Sequence, residues 1–212
     1  MLAAAHPAPA QAAADLPGHW KGAIRMPSQD APIEIDFRRD QQGKLGGTAS
    51  MPDEKLFGVV LLAVSVEGTT VKFHARSDQR FEGELDAGGD TLAGNFLIEG
   101  HTVPFDLTRA GPARPESAAT GAFRELEGSW RGTVAAGGAH EDVELELSPS
   151  PCLILLDEGS LRIRVSRSEL SGSAIDLEIG GGYATYKASL QAGELTGTYR
   201  MGGVQVPLRL HR

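Results

Sequence analysis

The chain has 212 residues, of which 41% are hydrophobic, and this is enough apolar material for one large packed domain or two small ones. Its 28 acidic residues outnumber its 20 basic ones and give a formal charge of −8, a sign that disfavours nucleic acid and anionic lipid as partners. A single cysteine excludes an internal disulfide and a cysteine-based zinc site, and the lack of a long apolar run argues against a transmembrane helix.

Residues 1–15 contain eight alanines and two prolines without apolar periodicity, so we expect a disordered tail. Ala10, Gln11 and Ala12 form the small-x-small pattern of a signal-peptidase site. The segment is interpreted either as the remnant of a signal peptide or as an alanine-rich tail. The first interpretation predicts a periplasmic or secreted protein.

Three motifs occur twice in the same order, among them the first and last of each half, which predicts an internal tandem duplication. Residues 16–22 (LPGHWKG) are repeated at 126–132 (LEGSWRG), and residues 103–109 (VPFDLTR) at 206–212 (VPLRLHR). Between the copies lie two prolines and many small residues, a composition typical of an exposed linker. The predicted organisation is a tail at 1–15, a first barrel repeat at 16–109, a linker at 110–124 and a second barrel repeat at 125–212.

Hydrophobic and polar residues alternate along most of the chain, as at Ile33, Ile35 and Phe37, and a period of two is typical of half-buried antiparallel strands. The strands predicted in the first repeat are 19–26, 32–39, 44–50, 58–66, 70–76, 80–86, 91–98 and 102–108. The second repeat has the same pattern, but the layout of residues 149–160 stays open. We therefore expect an all-β protein of two small antiparallel up-and-down β-barrels, lipocalin-like meanders whose closure removes free edges.

Several motifs, taken with their joint spacing, resemble those of a known family. The first repeat contains Gly18-x-Trp20-x-Gly22, Ser50-x-Pro52-Asp53 and Leu92-x-Gly94. This pattern resembles the small β-domain that precedes the catalytic domain in secreted bacterial α/β-hydrolases, and a weaker likeness to lipocalins rests on Gly-x-Trp and the strand count. The second repeat matches at both ends but lacks Ser-x-Pro-Asp. The resemblance implies a hydrolase-associated domain without the hydrolase chemistry, because the chain has no Gly-x-Ser-x-Gly nucleophile elbow.

The two tryptophans, Trp20 and Trp130, occupy equivalent positions in the repeats. The simpler interpretation is that each ring closes one end of a barrel core, with its N–H bonded to a backbone carbonyl. The alternative is an aromatic floor beneath a small apolar ligand, with Phe96 and Tyr199 as further ligand-binding candidates.

Residues 59–66 (VVLLAVSV) are apolar on both faces, unlike the other strands. Packing against the other barrel would explain this, and a groove for a lipid or a partner protein is the main alternative. The interaction surface predicted here consists of Phe57, Val60, Leu62 and Val64.

The polar residues are assigned no catalytic role. We expect the histidines in solvent, and the carboxylates outward on strands or in turns, so no catalytic pair and no metal site is nominated. Arg162 and Arg164 share a strand face, which indicates either surface ion pairs or a stripe that holds a carboxylate or phosphate.

Three functions are compatible with these features. The favoured one is a non-catalytic extracytoplasmic β-barrel module that acts in protein or domain interaction and is accessory to a hydrolase. The alternatives are a lipocalin-like carrier of a small apolar ligand and a small β-barrel enzyme. No cofactor is expected, and whether the chain is an enzyme stays open, although the absence of a nucleophile, metal or cofactor motif weighs against it.

Overall fold

The computed structural model describes residues 15–116, 123, 125–136, 138–156 and 160–212, and within these ranges the only regular structure besides strands is a 3₁₀ turn, Pro52–Glu54. Residues 1–14 of the tail predicted at 1–15, and residues 117–122 and 124 of the predicted linker, lie outside the described residues. The strands are β1 (Gly18–Arg25), β2 (Asp30–Arg39), β3 (Leu45–Met51), β4 (Leu56–Val60), β5 (Leu62–Glu67), β6 (Thr70–Arg76), β7 (Gln79–Leu85), β8 (Thr91–Ile98), β9 (His101–Gly111), β10 (Gly128–Ala136), β11 (Ala139–Leu147), β12 (Cys152–Leu155), β13 (Leu161–Ser171), β14 (Ala174–Ile179), β15 (Ala184–Gln191), β16 (Glu194–Met201) and β17 (Val204–Leu210).

The alternating pattern correctly identifies the fold class. In β2 the apolar side chains of Ile33, Ile35 and Phe37 are buried, as are those of Val71 and Phe73 in β6. The strand pairings are antiparallel, and strands that follow each other in sequence are mostly neighbours in the sheet. The prediction of an all-β, antiparallel, barrel-like protein is confirmed. No helix in the described part of the chain is long and apolar enough to cross a membrane.

In both halves of the chain, the first strand is joined to the last. β1 pairs with both β2 and β9, which joins the ends of the first run of strands. In the second half, the backbones of Arg131 and His211 exchange hydrogen bonds of 2.7 and 2.9 Å and so join β10 to the end of β17. This arrangement agrees with two up-and-down meanders, while their origin by duplication and their exact boundaries stay predictions.

The halves are joined through the strand that is apolar on both faces. β4 pairs with β13 at Val59 and Ile163, and the N–H of Phe57 donates to the carbonyl of Gly180 at 3.1 Å. Both Val59 and Ile163 are fully buried. As a result, the buried side chains of the two halves form one continuous apolar cluster.

The interiors are filled by the protein's own side chains. In the first half, Phe73 and Phe81 stack at 4.7 Å, Phe81 and Phe96 at 4.2 Å, and Phe37 and Phe105 approach them edge-on. In the second half, Tyr186 is buried and its hydroxyl donates to the carbonyl of Leu195 at 2.8 Å. Small barrels are commonly filled in this way.

Two details differ from the predicted strand layout. The strand predicted at 58–66 is divided into β4 and β5 at Leu61, whose N–H donates to the carbonyl of Gly47 at 2.9 Å. The open region at 149–160 contains β12, which pairs with β11 and β13 and so occupies a regular place in the sheet. Residues 157–159 lie outside the described residues.

Candidate functional site

Two adjoining concavities on the outer surface lie where the halves meet, and we call them together the junction groove. One has a volume of about 320 Å³ and the other about 460 Å³, and Arg38, Glu116 and Arg164 line both. All four side chains of the predicted interaction surface line the groove: Phe57 in the first concavity, and Val60, Leu62 and Val64 in the second. The structure thus brings these residues together with charged groups that the sequence did not connect to them.

The floor of the groove contains a buried carboxylate, Asp36, which is only 3% exposed. Since Ile35 and Phe37 point into the barrel, Asp36 points to the outer face of β2, where solvent would ordinarily cover it. Here it is covered instead, because the chain that follows β9 runs across this face. The imidazole Nδ1 of His19, on neighbouring β1, lies 3.1 Å from Asp36 Oδ1.

Arg114 neutralises this carboxylate. Its backbone N–H donates to Asp36 Oδ1 at 2.7 Å, and its Nε and Nη2 contact Asp36 Oδ2 at 2.9 and 2.8 Å. Its Nη1 donates to Glu34 Oε2 at 2.5 Å. Burial alone would raise the pKa of Asp36, but the hydrogen bonds and charge of Arg114 outweigh burial and lower it. Asp36 is therefore held ionised and is a weak base near neutral pH.

Two further arginines surround the same space. Arg38 donates to the backbone carbonyl of Arg114, and Arg164 donates from Nε to Glu116 at 2.8 Å and from Nη1 to the carbonyl of Ser150 at 2.9 Å. These contacts hold the segment at 114–116 between the halves. The first concavity has three guanidinium groups against the two carboxylates of Asp36 and Glu116, a local positive charge in a chain of formal charge −8.

The apolar side chains that line the groove differ in their exposure to solvent. Phe57 is 37% exposed, and Val60, Leu62 and Val64 are half-buried. The close approach of β4 to β13 requires Gly58, because its φ of 73° disfavours a side chain and a Cβ would lie 3.1 Å from Cβ of Arg164.

The four aromatic residues predicted to bind an apolar ligand lie inside the barrels, away from the groove. Trp20, Trp130, Phe96 and Tyr199 are all buried. The indole N–H groups of Trp20 and Trp130 donate to the backbone carbonyls of Leu16 and Leu126 at 3.0 and 2.8 Å, as the simpler interpretation predicted. The guanidinium groups of the arginines that end the two Val-Pro motifs cover these rings, at 4.4 and 4.7 Å from the ring centroids. A ligand-binding role for these four residues stays a prediction.

Sequence reasoning missed the polar floor of the groove. The histidines were expected in solvent and the acidic residues outward in water or in turns; His19 is instead 7% exposed and Asp36 is buried beside it. The reason is tertiary, because the outer face of the first barrel is covered by the chain at 114–116. Arg114 lies between small residues and prolines in the predicted linker, so no periodic pattern marks it.

The two arginines that share a face of β13, Arg162 and Arg164, each form an ion pair. Arg162 Nη1 lies 3.2 Å from Glu146 Oε2 on β11, and Arg164 pairs with Glu116. The surface ion-pair interpretation is correct for Arg162, while Arg164 belongs to the groove. Across the described ranges, no cluster of three or more His, Cys, Asp and Glu side chains could hold a metal ion.

Comparisons with known proteins add little to this geometry. No family model matches the chain, and no curated protein matches it in sequence. Among solved structures, one that matches is a protein of unknown function from the DUF3598 family of Nostoc punctiforme PCC 73102, with a TM-score of 0.28 and 14% identity over 92% of this chain and 94% of that chain. Another, from Bacteroides fragilis NCTC 9343, is described as a candidate outer membrane protein, with a TM-score of 0.26 and 13% identity over 92% of this chain and 95% of that one.

Proposed function

We propose that this chain is a non-catalytic extracytoplasmic binding module that docks on a partner protein or an attached domain, such as a hydrolase, through the junction groove. The observation that carries the proposal is that the predicted interaction residues, Phe57, Val60, Leu62 and Val64, line one groove beside three arginines. Interfaces commonly combine a partly exposed apolar centre with arginine at its margin.

The chemistry of the groove also favours binding over catalysis. Acyl transfer needs a nucleophile within hydrogen-bond reach of a base. The buried carboxylate of the groove is tied to Arg114, which lowers its pKa and removes it from the range of an effective general base. The only cysteine, Cys152, lies on β12, where burial and the neighbouring Glu146 raise its pKa to about 11.

The packed interiors weigh against the carrier alternative. The phenylalanine cluster fills the first barrel, and Tyr186, Tyr199 and Trp130 are buried in the second. A fatty acid would have to displace these side chains, and the packing free energy lost in this way would oppose binding.

Site-specific photo-cross-linking can test the proposal in bacterial cells. A photoreactive amino acid is placed at Phe57 in the groove, and a matched one at Val204, which is 51% exposed on β17. The expected result is a partner cross-linked from Phe57 alone. The purified partner is then titrated with the wild-type chain, with Leu62→Asp and with the control Val204→Asp. Loss of about tenfold or more in affinity is expected for Leu62→Asp only, since burying a charge in an apolar contact is costly.

Two results would contradict the proposal. Equal affinity of Leu62→Asp and the wild-type chain would show that the groove is not the docking surface. Saturable turnover of an ester, peptide or glycoside that one point mutation abolishes would show that the module is catalytic. Stoichiometric fatty-acid uptake that quenches Trp20 or Trp130 would instead support the carrier alternative.

A further inference from the structure

β5 has an open edge within the groove, although the predicted barrels were expected to leave none. Its ladder with β6 pairs Leu62 with His74 and Ser65 with Lys72. On its other side, the contact with β3 ends at the hydrogen bond from Leu61 to Gly47, and no further ladder joins β3 and β5 in the described residues. Ala63, with φ of 51°, lies at the bulge between Leu62 and Ser65 in the ladder with β6.

The space beside this edge is the larger concavity of the groove, about 460 Å³. It is bounded on one side by the β2–β3 hairpin and on the other by residues 60–64. The bulge at Ala63 interrupts the alternation of side chains, so Leu62 lies on the outer face opposite His74, whereas Val64 packs against the buried cluster. An added strand would find backbone groups to pair with and the side chain of Leu62 to pack against.

The charge of this space is positive. Its basic lining residues are Arg38, Arg39, Lys44 and Arg164, and its carboxylates are Asp40 and Glu116. Both carboxylates are already engaged: Asp40 accepts hydrogen bonds from the backbone N–H groups of residues 42 and 44 at 2.9 Å, and Glu116 pairs with Arg164. The exposed cations Arg39 and Lys44 thus leave a net attraction for an acidic segment, in a chain that is acidic as a whole.

From this combination we infer that the groove receives an acidic, extended peptide segment of the partner, which adds as a strand to the open edge of β5. The inference rests on the proposed function and names the chemistry of what docks. Main-chain hydrogen bonds to β5 supply the pairing, Leu62 contacts an apolar side chain of the segment, and Arg39 and Lys44 contact the acidic ones. β5 has six residues, enough to pair with a segment of about 20 Å at ~3.3 Å per residue.

The test uses the full-length chain and a labelled octapeptide of alternating Glu and Val, acetylated and amidated, with binding followed by fluorescence anisotropy. The expected result is saturable binding that weakens with salt, and at least about tenfold weaker binding to Arg39→Glu/Lys44→Glu. The control variant Arg200→Glu/Arg209→Glu makes the same change in net charge at exposed positions of β16 and β17 and should bind as the wild-type chain does.

Two further probes separate strand addition from general attraction of anions. Two versions of the peptide carry N-methyl groups, one on its odd-numbered amides and the other on its even-numbered amides. Each version cannot donate hydrogen bonds along one of its two edges, so at least one of the two should lose binding. Amide hydrogen exchange of residues 62–67 should slow on binding, while that of β15 should not change.

The inference is overturned if the peptide does not bind, if a Lys–Val version binds equally well, or if both methylated versions bind undiminished. These failures leave the proposed function intact when the cross-linked partner still depends on Leu62. Conversely, if the cross-linked partner binds Leu62→Asp as tightly as the wild-type chain, the proposed function is wrong even if the peptide binds.

Discussion

Replacing Arg114 with Ala tests whether the junction of the two halves depends on the ion pair with Asp36. The change removes the side-chain contacts to Asp36 at 2.9 and 2.8 Å and to Glu34 at 2.5 Å. Hydrogen bonds between charged groups contribute about 1.5–3 kcal/mol. However, the Arg114 side chain is 43% exposed, and solvent screening reduces this contribution. We therefore expect a loss of about 1–2 kcal/mol in the free energy of unfolding at pH 7.

The same pair predicts a dependence on pH. Arg114 lowers the pKa of Asp36 in the folded state, despite the burial that opposes it. The stabilisation is therefore present above the pKa of an unfolded Asp, about 3.9, and is lost as the pH falls through the lower pKa of the folded state. Consequently, the difference in stability between the wild-type chain and Arg114→Ala should be largest near neutral pH and should shrink below about pH 4.

Urea unfolding followed by tryptophan fluorescence, at pH 7 and at acidic pH, measures both effects. The matched control is Arg131→Ala, because Arg131 contacts Glu144 at 3.3 Å from a more exposed side chain. That control should lose less than about 0.5 kcal/mol at either pH. If Arg114→Ala were no less stable than Arg131→Ala, or if its deficit persisted in acid, the ion pair would not hold the junction and this account of the site would be refuted.

Four other predictions concern the cores and the linker. Trp20→Ala and Trp130→Ala should each lose about 3–5 kcal/mol in thermal or urea unfolding, because both rings are fully buried; near-normal unfolding would show that the rings are dispensable. The buried hydroxyl of Ser168 has no hydrogen-bond partner among the residues that the structure describes, so Ser168→Ala should gain about 1 kcal/mol and raise the Tm by a few degrees in calorimetry, whereas a loss would reveal a missed partner. Cys152, with a pKa of about 11, should resist iodoacetamide at pH 8 until the chain is unfolded, as mass spectrometry can follow. Mild proteolysis should cut first within residues 110–124, on the C-terminal side of Glu116, because contacts of Arg114 and Glu116 hold the chain up to that residue. The two β-rich fragments should stay associated until denaturant is added, because the apolar core is continuous between the halves; a first cut elsewhere would contradict the predicted boundaries.

Local patterns in the sequence were sufficient for the strands. The alternation at Ile33, Ile35 and Phe37 reports which face of β2 is buried, because successive side chains of any strand point to opposite faces. The triple glycine at 180–182 forms the turn between β14 and β15, and all three residues have the positive φ that glycine tolerates best. Such signals need no knowledge of distant residues.

The site was partly predictable for the same reason. Residues 59–66 departed from alternation, and this marked β4 and β5 as a segment with apolar contacts on two sides. The sequence could not say that the outer contact would be Ile163 on β13, nor that the strand would divide at Leu61 and leave an edge unpaired. Those outcomes depend on how the two halves fit against each other.

By itself, the amino-acid sequence determined the all-β class, the positions of most strands, the burial of the tryptophans and the apolar character of the interaction strand. Only the tertiary structure decided that His19 and Asp36 are buried, that Arg114 crosses the outer face of β2 to pair with Asp36, and that the core is continuous between the halves. The physical reason is that periodicity records which face of a strand meets its own barrel. What covers the other face is set by contacts between residues far apart in the chain, such as Asp36 with Arg114 and Val59 with Ile163, and no local pattern encodes those.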